Sequence, residues 1–209
     1  LAGIKRIVYA SSSSVYGDLK VSPKSEEQRG RALSPYAASK QGNEDFAQAF
    51  ANGYGMTMVG FRYFNVFGPN QNPKGAYAAV IPLFIFKLLA GESPVIYGDG
   101  EQSRDFTFVS NVVQSNIRAL TMELPQGAHL YNVACGASTS VNQLFEKIAA
   151  ILHSNLTATH VAERKGDIRN SLANVQKAID ELGYSDLVSL DEGLKKTVEW
   201  YLKHPERMK

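Results

Sequence analysis

The fold is decided by Ile7-Val8-Tyr9-Ala10-Ser11-Ser12-Ser13-Ser14-Val15-Tyr16-Gly17, in which an apolar run ends directly in a row of serines. The run from Ile7 to Ala10 has the composition of a buried β-strand. Open α/β sheets place their chemistry just beyond the carboxyl ends of their parallel strands. The stretch therefore predicts a parallel α/β sheet with a polar site at Ser11 to Ser14.

A second stretch, Ser34-Pro35-Tyr36-Ala37-Ala38-Ser39-Lys40, predicts a helix from Pro35 to about Tyr54. Ser34 suits the N-cap, and Pro35 lacks only an N–H that would be unpaired at the first helical position. Tyr36 and Lys40 share one helix face, where the ammonium and the positive helix end favour a phenolate. A lone Tyr-x-x-x-Lys is usually a surface pair, but its place after the serines favours a tyrosine general base.

The composition is that of an ordinary globular protein, with 209 residues, 44% hydrophobic, 20% charged and a formal net charge of +2. No basic run is interleaved with aromatic residues, so nucleic-acid binding has little support. The single Cys135 cannot form an internal disulfide, and the longest apolar run, Ala76 to Ala90, is too short to span a bilayer. The histidines lack metal-ligand spacing. We expect a cytoplasmic protein without a metal or membrane partner.

Periodicity and turn residues predict the remaining elements. The polar segment Asp18 to Ala32 is expected to be a surface loop, and the helix from Pro35 carries an apolar stripe that should be partly core. The stripe consists of Phe46, Ala47, Phe50 and Tyr54. Strands are predicted at Met56 to Tyr63, Val95 to Tyr97 and Leu130 to Ala134, and helices at Val80 to Leu89, Ser110 to Met122 with a cap, Ser140 to His153, Val175 to Leu182 and Leu190 to Leu202, the last two covering a small domain.

Five groups of residues are together far more specific than any one of them. They are Ser12 to Gly17, Tyr36 with Lys40, Arg62 to Gly68, Ser103 to Phe106 and Lys165 to Ser171. Through them the chain resembles the extended short-chain dehydrogenase/reductase family, and within it the nucleotide-sugar epimerases. The resemblance covers nearly all of the chain. It implies an α/β fold, the C-terminal part of a Rossmann-like doubly wound parallel sheet plus a small α/β substrate-binding domain.

The resemblance also implies a division of the chain. Family members begin with a strand, a glycine-rich turn and a helix that hold NAD, and the sequence before Ile7 has no such turn. We therefore expect residues 1–70 to be the C-terminal part of the NAD-binding Rossmann domain. Residues 71–209 should form mainly the nucleotide-sugar-binding domain, with a segment at about 105–135 returning to the Rossmann sheet. On this interpretation the chain is a truncation and is inactive alone.

For the reaction, the resemblance implies NAD as cofactor and a set of residues around it. Ser12 and Ser14 would bond the C4 oxygen of the sugar, and Tyr36 would be the general base. Lys40 would hold the nicotinamide ribose. The hydride leaves C4 and gives a 4-keto sugar. This sugar rotates about its phosphate link, and the hydride returns to its other face. The residues expected around NAD are Ala10, Tyr36, Lys40, Tyr63 and Phe64.

The resemblance likewise implies the residues that bind a UDP-sugar. Tyr97 would meet the uracil, Arg104 and Arg164 the diphosphate, and Asn65 the sugar or its phosphate. Pairing with Asp105 is the structural alternative for Arg104. The loop Gly75 to Ala79 would line the pocket. The full set is Ser12, Ser13, Ser14, Asn65, Val80, Tyr97, Arg104, Arg164, Asp167 and Ser171.

The choice of reaction depends on small differences within the family. The 4,6-dehydratases carry an Asp-Glu pair where this chain has Ser13 and Ser14, so dehydration is disfavoured. The small Ser171 leaves room for a 2-acetamido group. The main hypothesis is C4 epimerisation of a UDP-N-acetylhexosamine or its uronic acid, in a homodimer formed through the helix that starts at Pro35. The alternatives are a UDP-glucose/UDP-galactose 4-epimerase and a non-catalytic nucleotide-sugar-binding fragment.

Overall fold

The computed structural model describes residues 3–72, 79–164 and 168–208. Its strands are β1 Arg6–Ala10, β2 Thr57–Tyr63, β3 Val66–Phe67, β4 Val95–Tyr97, β5 Ser103–Arg104, β6 Thr107–Phe108, β7 Gly127–Val133, β8 Thr139–Ser140, β9 Thr159–Val161 and β10 Asn170–Ser171. Its α-helices are α1 Pro35–Tyr54, α2 Val80–Leu89, α3 Val109–Thr121, α4 Val141–Ile151, α5 Gln176–Leu182 and α6 Leu190–Lys203, with short 3-10 turns at Ser13–Tyr16 and Pro205–Met208.

A parallel sheet of order β1-β2-β7 forms the first layer of the fold. Arg6 is in register with Thr57 and Ala10 with Phe61, while β2 continues in register with β7 from Thr57 to Tyr63. The first six residues of β2 are all buried, as expected of a parallel strand covered on both faces. The predicted parallel α/β class is thus confirmed.

Helix α1 has the predicted bounds, and its ends explain them. The Ser34 side chain accepts a hydrogen bond from the Ala37 N–H, and Gly55 ends the helix in the left-handed conformation that favours glycine. Ala47 is buried, as the predicted core stripe requires. The other three stripe residues, Phe46, Phe50 and Tyr54, are exposed, so only part of the stripe packs in the core, as predicted.

A second hydrophobic core lies under α2, α4 and α6, whose buried side chains include Phe84, Leu144 and Leu194. Pro82 falls in the first turn of α2, where its missing N–H costs no helical bond. Around this core, β5 pairs with both β8 and β10, and β4 pairs with β9. The predicted helix α4 has a capping box between Ser140 and Gln143.

Three sequence-based expectations need correction. Helix α5 does not cover the second core but packs through Ala178 and Leu182 on the β1-β2-β7 sheet. Helix α3 starts at Val109 and its N-cap residue, Phe108, makes no side-chain cap bond, because the strand β6 leads directly into it. The segment Asp18 to Ala32 is not only a surface loop, since Lys24 and Glu26 in it are 5% and 8% exposed.

Within the described residues, no helix is long and apolar enough to cross a membrane.

Candidate active site at the carboxyl end of the parallel sheet

The row of serines forms a tight turn at the end of β1. Ser12 caps the 3-10 turn, its Oγ accepting a hydrogen bond from the Ser14 N–H at 3.1 Å. The Ser14 hydroxyl is buried and has no hydrogen-bond partner among the residues that the structure describes. A buried hydroxyl normally has a hydrogen-bond partner, so Ser14 is an exception within the described part of the chain.

Tyr36 and Lys40 lie beside this turn, at the start of α1. The Lys40 Nζ donates a hydrogen bond of 3.0 Å to the backbone oxygen of Ala10, the last residue of β1. The same Nζ lies 5.7 Å from the centroid of the Tyr36 ring, and Tyr36 is 56% exposed. The structure thus places Ala10, Tyr36 and Lys40 together, with the phenol accessible to a ligand.

A buried ion pair lies beneath this surface and was missed by the sequence analysis. Arg62 Nε and Nη2 each donate a 2.8 Å hydrogen bond to the carboxylate of Glu44, and the side chains are only 2% and 4% exposed. Arg62 Nη1 also donates to the backbone oxygens of Glu26 and Gln28. The Ser11 hydroxyl donates to Glu44 at 2.6 Å. A signal was available, because an arginine inside an otherwise apolar strand requires a buried partner.

Within this pair, the Arg62 guanidinium keeps its charge. Burial acts to lower the pKa of Arg62, but hydrogen bonds and charge from Glu44, together with Tyr16, outweigh burial and raise the pKa above its ordinary value. The Arg62 guanidinium lies 4.8 Å from the centroid of the Tyr16 ring. Burial raises the pKa of Tyr16 to about 12, so this phenol stays protonated at neutral pH.

A cavity of about 230 Å³ brings together five of the residues predicted to bind a UDP-sugar. These five are Asn65, Val80, Tyr97, Arg104 and Arg164. The rest of the lining is mostly apolar and includes Phe84, Ile96 and Phe106. An apolar cleft with a few convergent charged and polar groups is the usual form of a small-molecule site.

Two arginines bring positive charge to this cavity. Arg104 Nη1 donates hydrogen bonds to the backbone oxygens of Ser103 at 2.9 Å and Ile168 at 2.5 Å. The Arg164 guanidinium carbon lies 3.7 Å from the centroid of the Tyr97 ring. Guanidinium groups match phosphate oxygens in charge and shape. The cavity therefore suits a phosphorylated ligand with a flat group near Tyr97.

Asp105 is a buried carboxylate between two residues that line the cavity, Arg104 and Phe106. It is fully buried, and its carboxylate accepts hydrogen bonds from the backbone N–H groups of Cys135 at 2.9 Å and Gly136 at 3.0 Å. Burial raises the pKa of Asp105 to about 6, although these backbone N–H groups act to lower it. The Asn65 amide donates to the Asp105 backbone oxygen at 3.0 Å, and Asn65 has a positive φ of 33°. The Asp105 carboxylate thus fixes the position of the backbone at Cys135 and Gly136.

Of the two predicted neighbours of a nicotinamide, Tyr63 is half-buried and Phe64 is fully buried. Burial raises the pKa of Tyr63, whose hydroxyl accepts a 2.8 Å hydrogen bond from the Asn116 amide of α3. Phe64 is 0% exposed and packs on the Tyr16 ring, 5.9 Å between centroids. The Phe64 ring has no surface to offer a ligand, so its predicted role is left to backbone atoms.

The remaining predicted residues lie at the edges of the site. Ser13 is half-buried in the serine turn, and Ser171 in β10 is in register with Arg104 in β5. Asp167 lies outside the described residues, as do residues 75–78 of the predicted pocket loop. No group of three or more histidine, cysteine or acidic side chains in the described ranges could hold a metal ion.

The sheet, the Tyr36–Lys40 pair at its carboxyl end and the two-arginine cavity define a Rossmann-like α/β protein. The chain belongs to the NAD dependent epimerase/dehydratase family, whose model matches residues 1–134.

Comparisons with individual proteins agree with this family. A putative UDP-glucose 4-epimerase of Methanocaldococcus jannaschii is 37% identical over 198 residues, which cover 94% of this chain and 63% of that protein. The UDP-N-acetylglucosamine 4-epimerase of Methanobrevibacter ruminantium M1, solved in complex with UDP-N-acetylmuramic acid, superposes with a TM-score of 0.91 at 42% identity, over 96% of this chain and 64% of that one. The UDP-glucose 4-epimerase of Thermotoga maritima, solved with UDP-glucose, gives a TM-score of 0.90 at 38% identity, over 97% and 65%. The chain thus spans somewhat less than two thirds of these relatives' lengths.

Proposed function

We propose that the protein containing this chain is an NAD-dependent UDP-sugar 4-epimerase that acts on a UDP-N-acetylhexosamine or its uronic acid. The observation that carries the proposal is the cavity shared by Asn65, Val80, Tyr97, Arg104 and Arg164. Its two guanidinium groups suit a diphosphate and its aromatic ring suits a base. The Tyr36–Lys40 pair supplies the acid–base group that such a reaction requires.

The residues fit NAD at the carboxyl end of β1. Tyr36 is exposed there, and the Lys40 ammonium is fixed by its hydrogen bond to Ala10, so a ribose hydroxyl could bond to it. NAD held there would supply reversible hydride transfer at C4 of the sugar. Tyr63 and the backbone of Phe64 would border the nicotinamide.

The chain's own residues handle the proton and the orientation of the sugar. Ser12 and Ser14 bond the C4 oxygen of the sugar. Tyr36, as the general base, takes the C4 hydroxyl proton and returns it after the 4-keto sugar has rotated. Arg104 and Arg164 hold the diphosphate throughout, so the sugar can rotate about its phosphate bond without leaving the site.

Two further features belong to this proposal. Ser171 is the small residue opposite Arg104, and it leaves room for an acetamido group. Asp167 binds the ribose or orients Arg164.

The exposed Phe46, Phe50 and Tyr54 on α1 support a homodimer through that helix. We further propose that residues 1–70, with the segment at about 105–135, belong to the NAD-binding domain and the rest to the sugar-binding domain.

The test is conversion of UDP-GlcNAc to UDP-GalNAc with added NAD, by this chain and by the complete gene product. We expect turnover by the complete product and its loss in Tyr36→Phe, because the phenylalanine keeps the ring and removes the base. UDP-glucose is the competing substrate, which the similarity to UDP-glucose 4-epimerases makes the second candidate. Ser171→Tyr should reduce turnover of UDP-GlcNAc more than that of UDP-glucose. UDP binding without any turnover would leave a nucleotide-sugar-binding protein.

A further inference from the structure

The Glu44 carboxylate joins three elements that approach the candidate active site from different directions. It lies on α1, one helical turn after Lys40 and two after Tyr36. One of its oxygens accepts from Ser11, the residue that follows β1 and precedes Ser12. The same carboxylate accepts two hydrogen bonds from Arg62 in β2. Helix, serine turn and central strand are thus fixed to one buried group.

The Arg62 side chain extends this connection on its other side. Its Nη1 donates to the backbone oxygens of Glu26 and Gln28, at 3.1 and 2.8 Å, and its plane lies against Tyr16 at the end of the serine turn. Tyr16 donates a 2.6 Å hydrogen bond to Asn132 in β7. The network therefore also spans the three strands of the sheet.

Stability alone does not account for a charged pair at this place. Removing two charges from water is costly, and well-packed apolar side chains of similar volume are often as stabilising as a buried ion pair. Apolar contacts, however, do not fix direction, whereas a bidentate arginine–carboxylate pair fixes both distance and angle. What the pair provides is the relative placement of α1 and the serine turn.

We propose that Glu44 and Arg62 are positioning residues, which hold Tyr36 and Lys40 on α1 in register with Ser12 and Ser14 at the end of β1. The inference rests on the proposed function, because proton transfer between the C4 oxygen and Tyr36 needs both groups on one reacting atom. Neither Glu44 nor Arg62 contacts the substrate in this proposal. A small misplacement of reacting groups is enough to slow a reaction by about 10²-fold.

The experiment compares Glu44→Gln with Asp45→Asn in the complete gene product. Both changes replace a carboxylate by an amide on α1, but Asp45 is exposed and pairs only at the surface with Arg29. For Glu44→Gln we expect kcat to fall by about 10²-fold. The KM for the UDP-sugar should stay within about twofold, because the cavity residues that bind the nucleotide lie outside this network. For Asp45→Asn both constants should remain unchanged.

A double variant, Glu44→Met with Arg62→Met, separates positioning from folding. It removes both charges together, so neither is left buried without its counter-charge, although Ser11 and the backbone oxygens of Glu26 and Gln28 lose a partner. It should therefore unfold at a urea concentration closer to that of the wild type than a variant that lacks only one of the two charges. We expect its kcat to stay low. A double variant that recovers kcat together with stability would overturn the proposal and leave a structural ion pair.

Amide hydrogen exchange gives a readout that does not depend on turnover. Glu44→Gln should raise exchange by about tenfold in residues 11–17 and in the first two turns of α1, while other segments keep wild-type protection. Uniformly faster exchange, or no change, would overturn the positioning role. A wild-type gene product without epimerase activity would refute the proposed function separately, and the exchange pattern would still decide whether the pair holds the two segments together.

Discussion

At the scale of single residues, the buried Asp105 holds Asn65, one of the residues that line the cavity. Its carboxylate binds the backbone of Cys135 and Gly136 after β7 and that of Ala173 after β10, while its backbone oxygen holds Asn65. Three separated segments are therefore bound to the segment that contains Asp105. Because the group is fully buried, its protonation state affects the stability of the whole arrangement.

The stability contribution of Asp105 should depend on pH in a defined direction. Its pKa is raised from 3.8 to about 6, so the folded state holds the proton more tightly than the unfolded state. The associated free energy of unfolding is therefore highest below about pH 4 and is lost as pH rises towards about 6. We expect the free energy of unfolding of the wild type, relative to that of Asp105→Asn, to fall by about 3 kcal/mol across this window. Urea unfolding at several pH values measures this difference.

Asp99 is a suitable control for this titration. It is exposed, and its hydrogen bonds to Arg169 lower its pKa to about 2, the opposite direction. Asp99→Asn should therefore leave the pH dependence above about pH 4 unchanged. If the Asp105 difference instead grew with pH, the backbone N–H bonds would outweigh burial and the raised pKa would be wrong.

At the scale of elements, the close approach of neighbours in the parallel sheet explains a glycine within β2. A Cβ on Gly60 would lie 2.4 Å from the Tyr9 ring and 2.7 Å from Leu130, the residues on the two adjacent strands. Gly60→Ala should therefore lower the free energy of unfolding by about 1 to 3 kcal/mol, because the ring end of the partly buried Tyr9 and the Leu130 side chain must both shift to make room.

Gly42→Ala provides the contrasting change in α1. A Cβ there meets nothing within 4 Å, so the substitution should gain roughly 0.5 to 1 kcal/mol from helix propensity. Urea unfolding of the two variants tests both signs together. If both substitutions changed the free energy of unfolding equally, the contacts across β1, β2 and β7 would not determine the cost of adding a Cβ at Gly60.

At the scale of the whole molecule, elements whose signals are local could be predicted from the sequence. The bounds of α1 follow from Ser34, Pro35 and Gly55, and β2 follows from a run that is apolar apart from Thr57 and Arg62. The position of α5 could not be predicted, because its apolar residues fit either core and the choice depends on chain path. Likewise, Phe46 and Phe50 look like core residues in a periodic pattern, but the helix turns them outward.

The candidate site divides in the same way. Tyr36 and Lys40 could be predicted from their spacing on one helix face, and Arg104 and Arg164 from the resemblance to the nucleotide-sugar epimerases. Glu44 was not found, since its partners Ser11 and Arg62 are 33 and 18 positions away. Long-range pairing of this kind is set by the fold and has no signature in a local window of sequence.

The cavity joins residues from α2, β4, β5 and the loop that contains Arg164, so a nucleotide should stabilise the molecule as a unit. At a UDP concentration of about 100 times Kd, the free energy of unfolding of the complete gene product should rise by about 2.7 kcal/mol.

Arg104→Gln and Arg164→Gln should each weaken UDP binding by about 10- to 100-fold, since each removes a charge-assisted hydrogen bond. Arg169→Gln is the control, because this arginine pairs with Asp99 and lines a neighbouring cleft with Tyr97 and Glu163. Calorimetric titration of UDP would measure all three affinities, and a loss confined to Arg169→Gln would place the diphosphate in that neighbouring cleft.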